Sequence, residues 1–232
     1  MNRTPIFLLN GILAVIIIPV VFLVMGQAGS RDSDTKFLFD MISSRNVLAV
    51  VLASAGFMTI CGTLNGTASS AFSREGSQFW MSKVILVSAR EQVTAKFLHS
   101  YLIAWLGIAA ASAVLILQFH IKAAILALAL ALALAATFTL TAVGLAIDLA
   151  RPLLDWINPQ KAIKQNLNVL LAFLADLGIL TVLAFLCIGL GKLGLGKGAI
   201  LTVLGLVLIG LAAAVWMSLV KFAEKRYAAI EV

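Results

Sequence analysis

The sequence predicts an all-α, polytopic membrane protein with six transmembrane helices and amphipathic cytoplasmic connectors. Of its 232 residues, 62% are hydrophobic and 12% are charged, and the mean hydropathy is +1.09. Soluble domains are about 45–50% apolar and about 25% charged, so a water-soluble fold could not bury this much apolar surface. Six stretches also reach the roughly 20 apolar residues that a helix needs to cross a bilayer. These observations exclude soluble enzymes, nucleic-acid-binding domains and disordered scaffolds.

The six predicted spans form one transmembrane domain over residues 1–232. They lie at about 6–26, 47–69, 98–119, 123–147, 169–190 and 199–220. In the fourth span Leu and Ala alternate, nominally with a strand period, but its uninterrupted apolar length favours a helix. The first span resembles a signal peptide, yet its apolar run exceeds the usual length of about 7–15 residues of a signal core. We therefore expect it to be retained as a membrane helix.

Lysine and arginine are distributed unevenly between the loops on the two sides. If both termini are cytoplasmic, eleven of the 17 basic residues lie in the inner segments and the other six lie outside. The positive-inside rule therefore predicts cytoplasmic termini. The same rule accounts for the net charge of +7 without a nucleic-acid partner.

The first predicted cytoplasmic segment, Ser70 to Ser100, mixes apolar and charged residues. Its candidate contact residues are Arg74, Glu75, Phe79, Trp80, Lys83, Arg90 and Glu91. Ser88 and Glu91 have the spacing of a capping box, which predicts a helix that runs through Lys96 into the third span. An amphipathic segment of this kind lies in the membrane interface or docks in a groove of a partner protein. A lipid-facing connector is the simpler alternative.

The second predicted cytoplasmic segment, Asp148 to Asn168, also carries charged and aromatic residues. Its candidate residues are Arg151, Trp156, Lys161 and Lys164. Asn158 is a good N-cap and Pro159 suits the first position of a helix. This pair predicts a helix that continues without a break into the fifth span.

Two polar residues within predicted spans are candidates for a functional role, Asp176 and Asn65. Asp176 is the only acidic residue well inside a span, and carboxylates at such depth face the bundle interior, a partner or water. The preferred interpretation is a structural hydrogen-bond node with Asn65 or threonines of neighbouring spans. A proton relay and a contact to substrate remain open.

The sequence predicts no catalytic residues, no metal ligands and no cofactor bound by this chain. Gly191 to Gly198 approximates a phosphate-binding loop, but Gly198 stands where a hydroxyl should bind magnesium, and no strand precedes it. Its glycines predict a tight turn instead. Cys61 and Cys187 lie in apolar runs without the spacing of metal ligands.

Two motifs in the cytoplasmic segments form a recognisable pair. The first is Ser73-Arg74-Glu75-Gly76, followed by Trp80, Lys83 and Ser88. The second contains an Arg-Pro pair, then Asn158-Pro159-Gln160-Lys161-Ala162 and Lys164-Gln165-Asn166-Leu167-Asn168-Val169. Together they resemble ABC-2-type permeases of the bacterial ABC exporter family, over the part corresponding to the C-terminal half of longer permeases. The chain is then expected to be a fragment of such a permease or one subunit of a split transporter.

The resemblance implies a multi-pass permease subunit in the bacterial inner membrane. Its expected partners are an ABC ATP-binding subunit, which holds ATP and Mg, a second copy or a homologous permease, and the lipid bilayer. Residues 74–96 would form the helix that contacts the ATP-binding subunit, and residues 152–166 are the second candidate. The alternative is a non-transporting membrane interaction protein such as an immunity or assembly factor. A lipid-modifying enzyme is disfavoured because the sequence lacks a catalytic constellation.

Overall fold

A computed structural model describes residues 5–27, 33–85 and 87–230, and the regular structure in these ranges is entirely helical. The elements are α1 (Pro5–Gln27), α2 (Ser33–Ile42), α3 (Val47–Thr63), α4 (Phe79–Val84), α5 (Ala89–Phe119), α6 (Ala123–Ala150), α7 (Lys161–Lys164), α8 (Leu167–Lys192) and α9 (Lys197–Ala229). A 3₁₀ segment, Ser73–Gln78, precedes α4. The predicted all-α class is confirmed.

Five of the described helices are long and apolar enough to cross a membrane by length and composition, so the sixth predicted span is not confirmed. These five are α1, α5, α6, α8 and α9. The predicted span 47–69 contains α3, whose 17 residues rise about 25 Å and stand at the lower limit of spanning length. Helix α3 ends early because the Asn65 side chain binds Gly62 O and Thr67 N, and Gly66 adopts a φ of +62°.

Helix α5 begins at the predicted capping box. The Ser88 hydroxyl accepts a hydrogen bond from the Glu91 backbone N–H at 3.3 Å, and Ser88 N–H donates to Glu91 Oε2 at 3.0 Å. The helix then continues through Lys96 to Phe119, as predicted. The alternating Leu-Ala stretch is helical within α6. The glycines after α8 form a turn in which Gly194 has a φ of +78°.

The predicted continuous helix from Pro159 into the fifth span is interrupted. Helix α7 ends at Lys164 and α8 begins at Leu167. Between them, Asn166 Oδ1 accepts from Asn168 N–H at 2.9 Å, and Asn166 Nδ2 donates to Ala162 O at 3.0 Å. The side chain of Asn166 thus replaces main-chain helix bonds and caps α8, which explains the break.

Helix α2 was not predicted and packs beside the far end of α1. The Phe39 ring stacks on the Phe22 ring with a centroid distance of 4.7 Å, and Phe119 lies 5.4 Å from Phe39. The three rings therefore join the end of α1, α2 and the end of α5. They mark the end of the bundle opposite to the site described below.

Helix α6 is central, because it packs against α3, α5, α8 and α9, whereas α1 packs mainly on α5. Helices α3 and α5 approach closely at Gly107, where a Cβ atom would stand 2.3 Å from Cys61 O. Phe7 near the start of α1 contacts Trp156, and Tyr227 near the end of α9 contacts Phe72. The first described helix and the last therefore meet the same end of the bundle.

Candidate functional site

Asp148, in the last turn of α6, is the centre of a fully buried hydrogen-bond cluster. Its Oδ2 accepts from the backbone N–H groups of Phe72 at 2.7 Å and Ser73 at 3.0 Å. Its Oδ1 accepts from the Ser73 hydroxyl and from Asn168 Nδ2, the latter at 2.9 Å. Four donors therefore replace the water that the carboxylate lost on burial. Trp156 joins this cluster through a hydrogen bond to the Ser73 carbonyl. We call Ser73, Asp148, Trp156 and Asn168 the junction.

Ser73 joins the two motif-bearing segments. Its hydroxyl accepts from Leu153 N–H at 2.9 Å, and its carbonyl oxygen accepts from the Trp156 indole N–H at 2.7 Å. Gly76 lies beneath the same indole with a φ of +52°, and a Cβ there would stand 2.7 Å from the ring. Only glycine fits this position without strain. The two motifs, distant in sequence, thus form one packed unit.

Arg74 lies inside this unit rather than on its surface, with 7% of its area exposed. Its guanidinium donates to Thr67 O at 2.6 Å and to Ser70 O at 3.2 Å, so it fastens the chain that follows α3. Burial lowers the pKa of the Arg74 guanidinium to about 10, which leaves it charged at neutral pH. Arg74 was predicted to contact a partner, but in this structure its hydrogen bonds are internal.

Glu75 and Lys96 form an ion pair that connects the 3₁₀ segment to α5. Lys96 is buried, and its ammonium also lies 4.9 Å from the centre of the Phe72 ring. The second carboxylate oxygen of Glu75 accepts from the Ser82 hydroxyl at 2.9 Å, which attaches α4. Glu75, which was predicted to contact a partner, therefore joins the 3₁₀ segment to α4 and α5 within the protein.

Phe79 and Trp80 are neighbours in α4 that differ in burial. Phe79 is fully buried, and its ring centroid lies 5.4 Å from that of Tyr227 in α9. Trp80 is 53% exposed. Of the predicted aromatic contact residues, Trp80 is therefore the one available to a partner.

Helix α4 and Ile85, the residue that follows it, present an exposed apolar surface. We call Trp80, Met81, Val84 and Ile85 the α4 surface. Exposed charged residues lie close to it in the sequence: Arg90 and Glu91 at the start of α5, and Lys83, which donates a hydrogen bond to Ile230 O. The segment therefore combines exposed apolar and exposed charged side chains.

The candidate residues of the second segment divide between the junction and the surface. Trp156 is partly buried and meets the Phe7 ring edge-on at 6.1 Å. Arg151, Lys161 and Lys164 are exposed. The Arg151 carbonyl, however, accepts from Asn168 Nδ2 at 2.7 Å, which ties this segment to the start of α8.

A cavity of about 340 Å³ lies beside the junction, between the end of α3, α6 and α8. It is lined by both intramembrane polar candidates, Asp176 and Asn65, and by Ser100 and Lys164. The expected hydrogen bond between Asp176 and Asn65 is not observed. Asn65 bonds locally to Gly62 and Thr67, whereas Asp176 Oδ1 is buried without a hydrogen-bond partner.

Sequence reasoning missed the central roles of Asp148 and Asn168. An acidic residue at the end of an apolar stretch is ordinary in a membrane protein, so Asp148 alone carries little signal. The repeated asparagines Asn166 and Asn168 at the start of a span were the better indication, because buried amides need partners. Their partners became visible only in three dimensions.

Comparisons with known proteins assign no family to this chain. No protein-family model matches it, and no match was found among curated proteins or among solved structures. Within residues 5–27, 33–85 and 87–230, no group of three or more His, Cys, Asp or Glu residues is placed to hold a metal ion.

Proposed function

We propose that this chain is the membrane-spanning permease subunit of an ATP-driven exporter. A separate ATP-binding subunit binds and hydrolyses ATP, and its movement is transmitted to the membrane helices. The proposal includes a bacterial inner-membrane location with cytoplasmic termini and pairing with a second permease. The motif resemblance and the multi-pass helical architecture support it.

The observation that carries the proposal is the attachment of the α4 surface to several membrane helices at once. Phe79 in α4 packs on Tyr227 in α9, and Ser82 binds Glu75, which pairs with Lys96 in α5. The adjoining 3₁₀ segment is bonded to Asp148 in α6. A displacement of α4 would therefore move the ends of three spans together.

The α4 surface has the composition of a protein-binding site. Interface energy concentrates in a few buried Trp, Tyr and Arg side chains that are surrounded by less important polar contacts. Trp80 would be such an anchor, with Lys83, Arg90 and Glu91 at the rim. In the exporter, the ATP-binding subunits would close on ATP and push this surface. This movement would change the side of the membrane to which the substrate path opens.

The test is purification of the tagged chain from its native membranes in a mild detergent, followed by mass spectrometry and an ATPase assay. We expect a stoichiometric ATP-binding subunit and ATP hydrolysis that depends on it. Recovery of a stoichiometric partner without a nucleotide-binding domain would instead favour the non-transporting interaction protein and contradict the exporter. The chain with Trp80→Ala is the matched control, because it should lose the partner while remaining folded.

A further inference from the structure

We propose that the cavity beside the junction binds the protonated amine of a small amphipathic substrate, with Asp176 as its counter-ion. This inference rests on the proposed exporter function, for which it names a substrate class. The cavity lies between α3, α6 and α8, next to the cluster that connects to the α4 surface. A ligand there would contact helices that the junction holds together.

Asp176 is the first reason for the proposal. It lies within α8, yet in the described part of the chain it has neither a hydrogen bond nor an ion pair, and its Oδ1 is buried. An unpaired carboxylate at membrane depth is costly, and such groups mark ligand or ion pathways. A protonated amine would neutralise the charge and donate hydrogen bonds to the oxygens.

Ser100 provides a second, independent group in the same cavity. Only 2% of this residue is exposed, and its hydroxyl has no hydrogen-bond partner. Buried hydroxyls are normally bonded, so an unpartnered one that lines a cavity indicates a missing ligand group or water. An ammonium group has three donors and suits a carboxylate and a hydroxyl acceptor together.

The size and walls of the cavity favour an amphipathic amine over a bare metal cation. A volume of about 340 Å³ is far larger than one ion. Alkali and alkaline-earth cations need several oxygen ligands in close contact, whereas much of this lining is apolar, including Leu140, Leu170 and Phe173. The Phe173 ring in the lining also suits an organic cation, because the face of an aromatic ring attracts positive charge.

The other charged residue of the lining, Lys164, does not oppose this assignment. It lies on α7, before the break at Asn166, whereas Asp176 lies within α8. Asn166 and Asp176 are separated by about 15 Å along α8. Lys164 is exposed to solvent, where its charge is screened. Asp176 is the only acidic residue among the described residues that line the cavity.

The experiment uses the full chain in phosphatidylcholine nanodiscs, whose lipid carries no primary amine. Dicyclohexylcarbodiimide, which modifies protonated carboxyl groups in membranes, is added, and mass spectrometry follows the sum of the N-acylurea adduct and any amide formed at Asp176, so that capture of the activated carboxyl by an amine is not counted as protection. Hexylamine is compared with 1-hexanol, which has the same chain and no charge, and with sodium chloride. We expect hexylamine to slow the modification at least roughly fivefold and hexanol or sodium to have no such effect.

Direct titration calorimetry of hexylamine provides the second measurement. Asp176→Asn should weaken binding about tenfold or more and Ser100→Ala should weaken it less, while Asp155→Asn, at an exposed site, should leave it unchanged. Equal binding by Asp176→Asn and the parent would overturn the proposal. So would equal protection by hexylamine and hexanol, or protection by sodium, which would indicate an alkali-cation site.

Two further comparisons complete the test. The first distinguishes a lipid headgroup from a free solute as the source of the amine, and the second distinguishes the amine-site proposal from the exporter proposal. If the amine belongs to a lipid headgroup, nanodiscs containing phosphatidylethanolamine should protect Asp176 without added hexylamine; if it belongs to a free solute, they should not. Asp176→Asn should still co-purify with the ATP-binding subunit. Absence of that subunit would remove the exporter proposal without changing the result for hexylamine.

Discussion

Ser73 and Asp148 lie 75 residues apart in the sequence, yet the hydroxyl and the backbone N–H of Ser73 both donate to the Asp148 carboxylate. This contact fastens the segment after α3 to the end of α6. The same serine accepts from Leu153 N–H, so one side chain joins three parts of the chain. The junction is thus a specific polar contact within a predominantly apolar protein.

Removal of the Asp148 carboxylate should destabilise the protein strongly. Asp148→Ala leaves the N–H groups of Phe72 and Ser73 buried without an acceptor, at about 1–3 kcal/mol for each group, and removes one of the two acceptors of the Asn168 amide. We expect a loss of at least about 3 kcal/mol in unfolding by sodium dodecyl sulfate in mixed micelles. Asp155→Asn, at an exposed carboxylate, is the control and should change little. A small effect of Asp148→Ala would show that the junction contributes little to stability.

Gly76→Ala should disturb the packing of the two motifs. The new Cβ would meet the Trp156 ring at 2.7 Å at a backbone φ of +52°, so we expect a loss of about 2 kcal/mol. Gly178→Ala in α8 is the matched control, because no atom lies within 4 Å of a Cβ at that position. Thermal unfolding in detergent compares the two. Equal melting temperatures would contradict the close contact between Gly76 and Trp156.

The Glu75–Lys96 ion pair should show strong coupling between its partners. Glu75→Leu alone leaves the buried Lys96 ammonium without its counter-charge, at a cost of about 3–5 kcal/mol. Glu75→Leu combined with Lys96→Leu should recover much of this stability, since two apolar side chains need no charged partner. A double-mutant cycle in mixed micelles measures the coupling. Additive losses would mean that the two residues act independently.

Cysteine labelling tests the orientation in the membrane. In a background with Cys61→Ala and Cys187→Ala, Lys36→Cys should react with an impermeant maleimide added outside intact cells. Gln78→Cys should react only after the cells are permeabilised. Both positions are exposed in the structure, so access depends on the side of the membrane. The reverse labelling pattern would invert the orientation and remove the α4 surface from the cytoplasm.

Trp80→Ala should weaken association with the ATP-binding subunit more than Lys83→Ala does. Truncation of an aromatic anchor typically costs about 2 kcal/mol, or roughly a thirtyfold loss of affinity, whereas rim charges contribute less. A pull-down of the ATP-binding subunit with both variants measures the difference, and thermal unfolding checks that each bundle remains folded. If Trp80 only touches lipid, Trp80→Ala and the parent will retain the subunit equally.

Local rules were sufficient for much of the helical structure. The capping box of Ser88 and Glu91 placed the start of α5, and apolar length placed α6 despite its alternating residues. The same rules failed at Asn65 and Asn166, where polar side chains compete with main-chain hydrogen bonds. Apolar length alone does not report this competition, so α3 was predicted to be too long and the break before α8 was missed.

The sequence by itself determined that this is a helical membrane protein, because its uninterrupted apolar stretches reach the roughly 20 residues that a membrane-spanning helix needs. It also identified the two motif-bearing segments and the unusual depth of Asp176. Only the tertiary structure decided that Arg74 and Phe79 are internal, that Trp80 is exposed, and that Asp148 holds the two segments together. The physical reason is that burial and hydrogen-bond partnership between distant segments depend on how the helices pack, which local spacing does not encode.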